Sequence, residues 1–574
     1  MNRMIKTLSI LLLVPFFSDC SQAQVDDDSG LFEYREIYLP EGISEAKKLG
    51  LNNVDKDWGI WGHHLSMVLP KNPSMTVYAA VGGNRTKEQF CFSSDQLYNY
   101  IVDYIDENFS GSKTRRFAIL PNDNDLVCQC DLCVKAGNTA TDASPAALNL
   151  IKRLAEHFPK HLFFSSYYLS TKGLPKEVLP ENTGVLVSAM DYPLTTLATP
   201  QETEFEALLK SWKQYVSHVY VWDYIQNFDD YFTPYPIFDV MQRRIWLYAQ
   251  CGVNGIFLNG SGEEFSSMSR LKTYVLADLM RNPTQDMKQL IRDYCHQLFP
   301  VAGDEIASYI FLLEATAAKK GKPLPMYEGV EKVMQSYFLP EEFSPFHIKL
   351  LGMIHQTKGD EREALTLMIQ AMCLTRLEIK RINKHIHSDT IDLLSMLNDL
   401  TNNNIHSYSE SYWSIFDYIR EYREMVDHDL AYGDKNLLRN KKLTPLTALD
   451  EDYNDISILT DGQLGLPSNY HCGQMISSAT PALRIAVPVE KGMKRLRVWF
   501  TVNAIFNIAL PEKVQLSVNG IQIASVTPQA STSTPNRSYV DFNVPASATG
   551  NMVLTIVRNQ KVKTMAIDEI EGFE

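Results

Sequence analysis

Between residues 32 and 258 the chain repeats one pattern: a short apolar run bounded by turn residues, then an amphipathic stretch of helical period, then another run. The runs occupy 32–38, 58–65, 75–81, 116–120, 162–169, 185–190, 219–222 and 255–258. Strands that alternate with helices are joined by crossovers, and crossovers favour a parallel sheet covered by helices. Among the intervening stretches, 96–107 steps its apolar residues by three and four, 146–157 follows Ser144-Pro145, and 238–250 stops before Gly252. These are signs of a helix face, start and end. Eight units over roughly 255 residues, counted from 31 to 285, match a (β/α)8 TIM-like barrel of ~250 residues. We therefore expect a barrel of the α/β class over 25–285.

The texture changes twice afterwards. From 286 to 440 no strand pattern survives, while 361–382 and 412–425 keep helical periodicity, so a helical domain is expected there. Asn440-Lys441-Lys442, followed by Thr and Pro, reads as a linker. Beyond 456, β-like runs at 496–501, 514–518, 521–526, 539–544 and 552–557 are separated by Gly, Pro, Asn and Ser. They predict a β-sandwich over 450–574. A chain of 574 residues exceeds what one core organises. Three folded units are expected.

Residues 1–24 carry Arg3 and Lys6, an apolar stretch over 8–17, then small residues, which is a signal peptide rather than a membrane span. Ser21-Gln22-Ala23 offers one cleavage site, and Phe17-Ser18-Asp19-Cys20 resembles a bacterial lipobox in which Asp19 replaces the usual small residue. Asp26-Asp27-Asp28 is similar to the export tag of surface lipoproteins. We expect an exported chain, periplasmic or at the cell surface, held at the outer membrane by a lipid on Cys20. A net charge of -14 repels phosphate backbones and argues against a nucleic-acid partner. Aromatic residues reach 11%, with 28 Tyr and 7 Trp, whose apolar faces suit stacking on sugars.

In barrels of this type the active site gathers at the carboxyl ends of the strands. Those ends are polar here: Arg35 and Glu36, Trp61 with His63 and His64, Asn84 and Arg85, the run Asn122-Asp123-Asn124-Asp125, Tyr167 and Tyr168, Asp191 and Tyr192, Trp222-Asp223-Tyr224, and Asn259 with Glu263 and Glu264. Breaking a glycosidic bond requires a proton for the leaving oxygen and a second group at the oxocarbenium-like centre, and a pair of carboxyls supplies both. Asp123 is the favoured proton donor, with a turn or capping role as its alternative. Asp223, Asp191 and Glu264 compete for the second role. Glu264 also suits a helix start. Arg35, Trp61, His63, Asn122, Tyr168, Tyr192, Trp222 and Tyr224 are candidate sugar contacts. Neither metal nor cofactor is assigned to this site. Cys128, Cys130 and Cys133 form a C-x-C-x-x-C cluster whose spacing could hold zinc with a fourth ligand, but in an exported chain disulfides or free thiols are the preferred reading; the remaining cysteines read as buried thiols.

Phe32-Glu33-Tyr34-Arg35-Glu36, Trp58-Gly59-Ile60-Trp61-Gly62-His63, Gln89-Phe90-Cys91, Pro121-Asn122-Asp123 with the cysteine cluster, and Trp222-Asp223-Tyr224 together resemble a Bacteroidetes glycoside-hydrolase-like barrel domain, formerly of unknown function and related to glycoside hydrolase family 163. The resemblance covers about residues 31 to 340. It implies a barrel related to hexosaminidases and α-glucuronidases, and a glycan or glycoprotein substrate such as a complex N-glycan cut by an endo-β-N-acetylglucosaminidase. Leu459-Thr460-Asp461-Gly462 and Ile567-Asp568-Glu569-Ile570 resemble a galactose-binding-like β-sandwich. The alternative expectation is a non-catalytic, glycan-binding surface lipoprotein that keeps the cleft without the hydrolysis.

Overall fold

Among the described residues, nine strands precede residue 260: β1 (Tyr34–Tyr38), β2 (Trp58–Ile60), β3 (Tyr78–Val81), β4 (Asn84–Phe90), β5 (Arg116–Ala118), β6 (Leu162–Tyr167), β7 (Thr183–Ser188), β8 (His218–Tyr224) and β9 (Gly255–Asn259). The structure is a computed structural model that describes residues 30–574, except 112, 114, 532, 533, 535 and 563. The expected signal segment, with Cys20, lies outside the described residues. Seven strands form one parallel sheet in the order β1-β9-β8-β7-β6-β5-β2, and β3 pairs with β4 in a separate antiparallel hairpin.

The expected closed (β/α)8 barrel is thus corrected to a curled sheet of seven strands. The run at 75–81 is the one that stays out. Met75–Val77 form a 3-10 turn, and the chain then reverses at Gly82-Gly83, whose φ values of 57° and 83° place both in left-handed backbone. Two consecutive residues of that kind build the tight turn that matches strand twist, so β3 folds back on β4 before it can cross over.

Each of the seven strands sends one side chain into a common interior: Tyr34, Trp58, Ala118, Phe164, Leu186, Tyr220 and Phe257. Tyr34 and Trp58 meet edge to face at 5.8 Å. This contact draws β1 and β2 together, although no backbone ladder joins them among the described residues. Rings this large fit because a neighbour gives way: a Cβ on Gly255 would lie 2.7 Å from the Tyr220 ring, and one on Gly184 2.4 Å from Phe164. The opposite faces of the strands, including Val219, Val221, Ile256 and Leu258, pack under outer helices such as Phe238–Gln250 and Ser269–Arg281.

Helices from Met287–Leu298 to Ile415–Tyr432 follow. Two antiparallel sheets of five and four strands come next. They share a core that includes Leu483, Ile485, Leu516 and Leu554 from one sheet and Val498 and Ile567 from the other. Among the described residues no helix is long and apolar enough to cross a membrane.

Candidate functional site

Side chains alternate across a strand, and this decides what β8 offers to each side of the sheet. Tyr220 points to the interior; Trp222 and Tyr224, two and four residues on, line a cavity of about 190 Å³ at the carboxyl ends of the strands. Trp222 stacks on Trp61 at 5.0 Å with the planes only 10° apart, and both pack on Phe257. Trp61 therefore supports the floor, and Trp222 is the ring that reaches the cavity wall. His63 and Tyr168 stand beside it, their ring centres 6.4 Å apart. The Nδ1 of His63 is 2.6 Å from the Pro121 carbonyl oxygen. A carbonyl can only accept, so Nδ1 carries the hydrogen, which leaves Nε2 as a hydrogen-bond acceptor.

Asp123 is exposed and lines the same cavity, on the loop that follows β5. The carboxyl that joins it is Glu410, from a loop far along the chain between two helical stretches. Backbone hydrogen bonds bring that loop to the mouth: Glu410 N–H donates to Phe228 O at 2.7 Å, Tyr231 N–H to Tyr408 O at 2.8 Å, and Phe228 N–H to Met326 O at 2.7 Å. Phe228 and Tyr231 lie on the segment that leaves β8. The Tyr327 hydroxyl, also in the lining, donates to Glu410 Oε2 at 3.0 Å.

Electrostatics separate these groups. Loss of water around the Glu410 carboxyl raises its pKa above the usual range; the Tyr327 hydrogen bond opposes this, and the negative charges of Asp229 and Asp123 add to it. A carboxyl raised in this way holds its proton nearer neutrality. Burial pushes the Tyr168 phenol up to about 12, reinforced by Asp123 and Asp191, and burial also raises Tyr224. Both phenols are therefore hydrogen-bond donors at neutral pH.

Of the other expected carboxylates, Asp223 does not face the cavity, which corrects its placement as a site residue. It projects from the outer face of β8, fully buried, where Arg244 Nη1 reaches it at 2.6 Å and the Tyr248 hydroxyl donates to it. Asp191 pairs with Lys172 at 2.5 Å in a half-exposed position outside the lining. Glu264 accepts from the Ser407 hydroxyl at 2.9 Å and ties the loop after β9 to the helical region.

Four expected sugar contacts are also outside the lining: Trp61, which lies beneath Trp222, and three that lie elsewhere. Arg35 projects outward from β1 and donates to Gly50 O at 3.0 Å. Asn122 is spent on the hairpin, donating to Glu88 O at 2.9 Å while its own N–H bonds the Gln89 side chain. Tyr192 stacks on Phe205 at 4.1 Å, in the outer helical layer. Ser188, Asn259, Tyr327 and Glu410 are lining residues to which the sequence reading gave no role in the site, although Asn259 stood among its strand ends. For Glu410 the one local signal is Tyr408-Ser409-Glu410-Ser411-Tyr412-Trp413, a polar and aromatic break between helical stretches.

A family model described as a domain of unknown function, DUF4838, matches residues 58–310. No curated protein matches the chain. Among solved structures, a family GH115 4-O-methyl-α-glucuronidase with specificity for decorated arabinogalactans aligns over 83% of this chain and 66% of its own, with 10% identity and a TM-score of 0.36. A GH138 enzyme targeting pectin rhamnogalacturonan II aligns over 94% of this chain and 84% of its own, with 8% identity and a TM-score of 0.31. The GH89 enzyme of Clostridium perfringens, in complex with its substrate GlcNAc-α-1,4-galactose, aligns over 56% of this chain and 36% of its own, with 13% identity and a TM-score of 0.34. All three neighbours are glycoside hydrolases.

Proposed function

We propose that this chain hydrolyses glycosidic bonds at the cavity above β5, β6 and β8, with Glu410 as proton donor and Asp123 as the second carboxyl. The observation that carries the reading is the meeting of these two acids, from distant parts of the sequence, in one cavity walled by Tyr168, Trp222 and Tyr224. Glu410 takes the acid role because its surroundings favour the protonated form. Asp123 faces it from the β5 loop, where it acts on the sugar centre directly, through water, or by orienting an N-acetyl arm. Trp222 supplies an apolar face, and His63, Tyr168 and Tyr224 supply hydrogen bonds to hydroxyls. A glycan containing N-acetylglucosamine, cut internally, is the substrate that the motif resemblance favours. The charge and cysteine pattern of residues 1–28 supports work outside the cytoplasm.

The test is product mass spectrometry after incubation with a complex N-glycoprotein and a panel of aryl glycosides. Glu410→Gln and Asp123→Asn should each lower turnover by about 10²–10⁴-fold, the usual weight of positioned acid–base groups. Glu410→Gln should lose less on aryl glycosides whose leaving group needs no proton, whereas Asp123→Asn should lose on both. In the wild type, activity should fall as pH rises through the elevated pKa of Glu410, and that alkaline limb should vanish in Glu410→Gln. Wild-type protein that binds glycans yet releases nothing from any substrate would replace the hydrolase with the binding reading.

A further inference from the structure

Apart from the cavity, the described residues hold one dense cluster of metal-binding atoms. Cys91 directly follows the hairpin strand β4, Cys128 and Cys130 lie on the loop that carries Asp123, and Cys133 sits in the short helix Asp131–Ala136. Their four sulfurs lie within 4.8 Å of one another. Cys91 Sγ is 3.6 Å from the Sγ of both Cys130 and Cys133. Four sulfurs placed ~2.3 Å from a central zinc in a tetrahedron stand about 3.8 Å apart, so the spacing suits that ion. A disulfide requires ~2.05 Å, and all four thiols are free. The contrast with Cys251, Cys295 and Cys373 is informative: each of those is a buried thiol with no second sulfur grouped beside it.

The surroundings suit a thiolate cage. The Ala80 backbone N–H donates to Cys128 Sγ at 3.2 Å, and the Arg85 guanidinium stands against Cys91 with the sulfurs of Cys128 and Cys130 nearby. Donors of this kind offset the surplus negative charge of four thiolates around a divalent ion.

We infer that Cys91, Cys128, Cys130 and Cys133 bind a structural zinc ion that clamps the β3–β4 hairpin to the loop presenting Asp123. Binding converts four thiols to thiolates, releases four protons to solvent and leaves no open coordination position, so the ion has no direct part in turnover. Its service to the cavity is mechanical. Gln89, two residues before Cys91, donates to Asn122 O at 3.1 Å and Asn124 Oδ1 at 2.9 Å, the residues on either side of Asp123. The zinc and these amide bonds hold the loop from both sides.

The experiment is metal analysis and X-ray absorption on the full chain, purified without chelators and dialysed against zinc sulfate. About one zinc per chain, with four sulfur neighbours at ~2.3 Å, is the expected result. A mercurial reagent should release that zinc as the four thiols react. Cys91→Ser should drop the sulfur count to three or abolish retention, whereas Cys251→Ser should keep the full site. Should the cluster variant fail to fold, the wild-type spectrum decides alone. Zinc well below one per chain, a zinc shell dominated by nitrogen and oxygen, bound iron in its place, or an intact mass short of two hydrogens per cysteine pair would each overturn the assignment. None of these readouts depends on glycan turnover.

Discussion

A carboxylate with no exposed surface, held by Arg244 and Tyr248 on the outer face of β8, acts on the fold before it acts on anything else. Asp223→Ala leaves the Arg244 charge buried without its counter-ion, which costs about 3–5 kcal/mol. Urea unfolding should show that loss as a lower midpoint, and any fall in turnover should track the unfolded fraction. The position was legible in principle: with Trp222 and Tyr224 facing inward, alternation along β8 forces Asp223 outward. Asp123 was readable for a related reason, since it closely follows a strand end and strand ends rim the cavity. Glu410 was not, because nothing local relates a loop between two helices to the mouth of a sheet formed far earlier in the chain. Bonds between segments distant in sequence make that connection, among them the backbone bonds to Phe228 and Tyr231 and the Ser407–Glu264 hydrogen bond.

At the scale of elements, the helix Phe238–Gln250 begins against an acid from another helix. Phe238 N–H donates to Glu314 Oε1 at 2.9 Å and Asp239 N–H to Oε2 at 3.3 Å. These bonds favour the ionised form, but burial outweighs them and pushes Glu314 up to about 8 from an ordinary 4.5. Below pH 4.5 the folded and unfolded chains both hold this proton. Between 4.5 and 8 only the folded chain holds it, so stability falls as pH rises, by at most ~1.4 kcal/mol per pH unit for one proton. Above 8 the penalty is constant. Glu314→Gln should flatten that decline by up to one proton in unfolding measurements from pH 5 to 8. Glu36, also raised to about 8 by burial, keeps its own share of the slope. Most strands of the sheet could be read from their apolar runs, whereas β3 was misplaced because Gly82-Gly83 was passed over as a hairpin turn.

Across the whole molecule, the sequence showed three textures in order but not how they lock together. The lock includes Asp229, after β8, which accepts from the Tyr470 hydroxyl at 3.1 Å and meets His471 Nε2 at 2.8 Å with both partners of that pair buried. His471 Nδ1 is in turn 3.0 Å from the Tyr453 hydroxyl. Asp229→Ala strands these donors and should cost about 1–3 kcal/mol. Limited proteolysis should then nick the 440–455 segment sooner than in the wild type.

Glu410 approaches the cavity from outside the seven-stranded sheet, on a loop borne by helices, whereas Asp123 stands on the sheet's own rim. The gap between the two acids is therefore set by how one body leans on another, not by strand spacing. Under the hydrolysis proposed above, ~5 Å between carboxyls suits a covalent sugar intermediate and ~6.5–9.5 Å admits a water, so the seating of the helical region on the sheet would decide which anomer is released. On that reading, the stereochemical outcome rests on the contact between the helical region and the sheet rather than on the sheet alone.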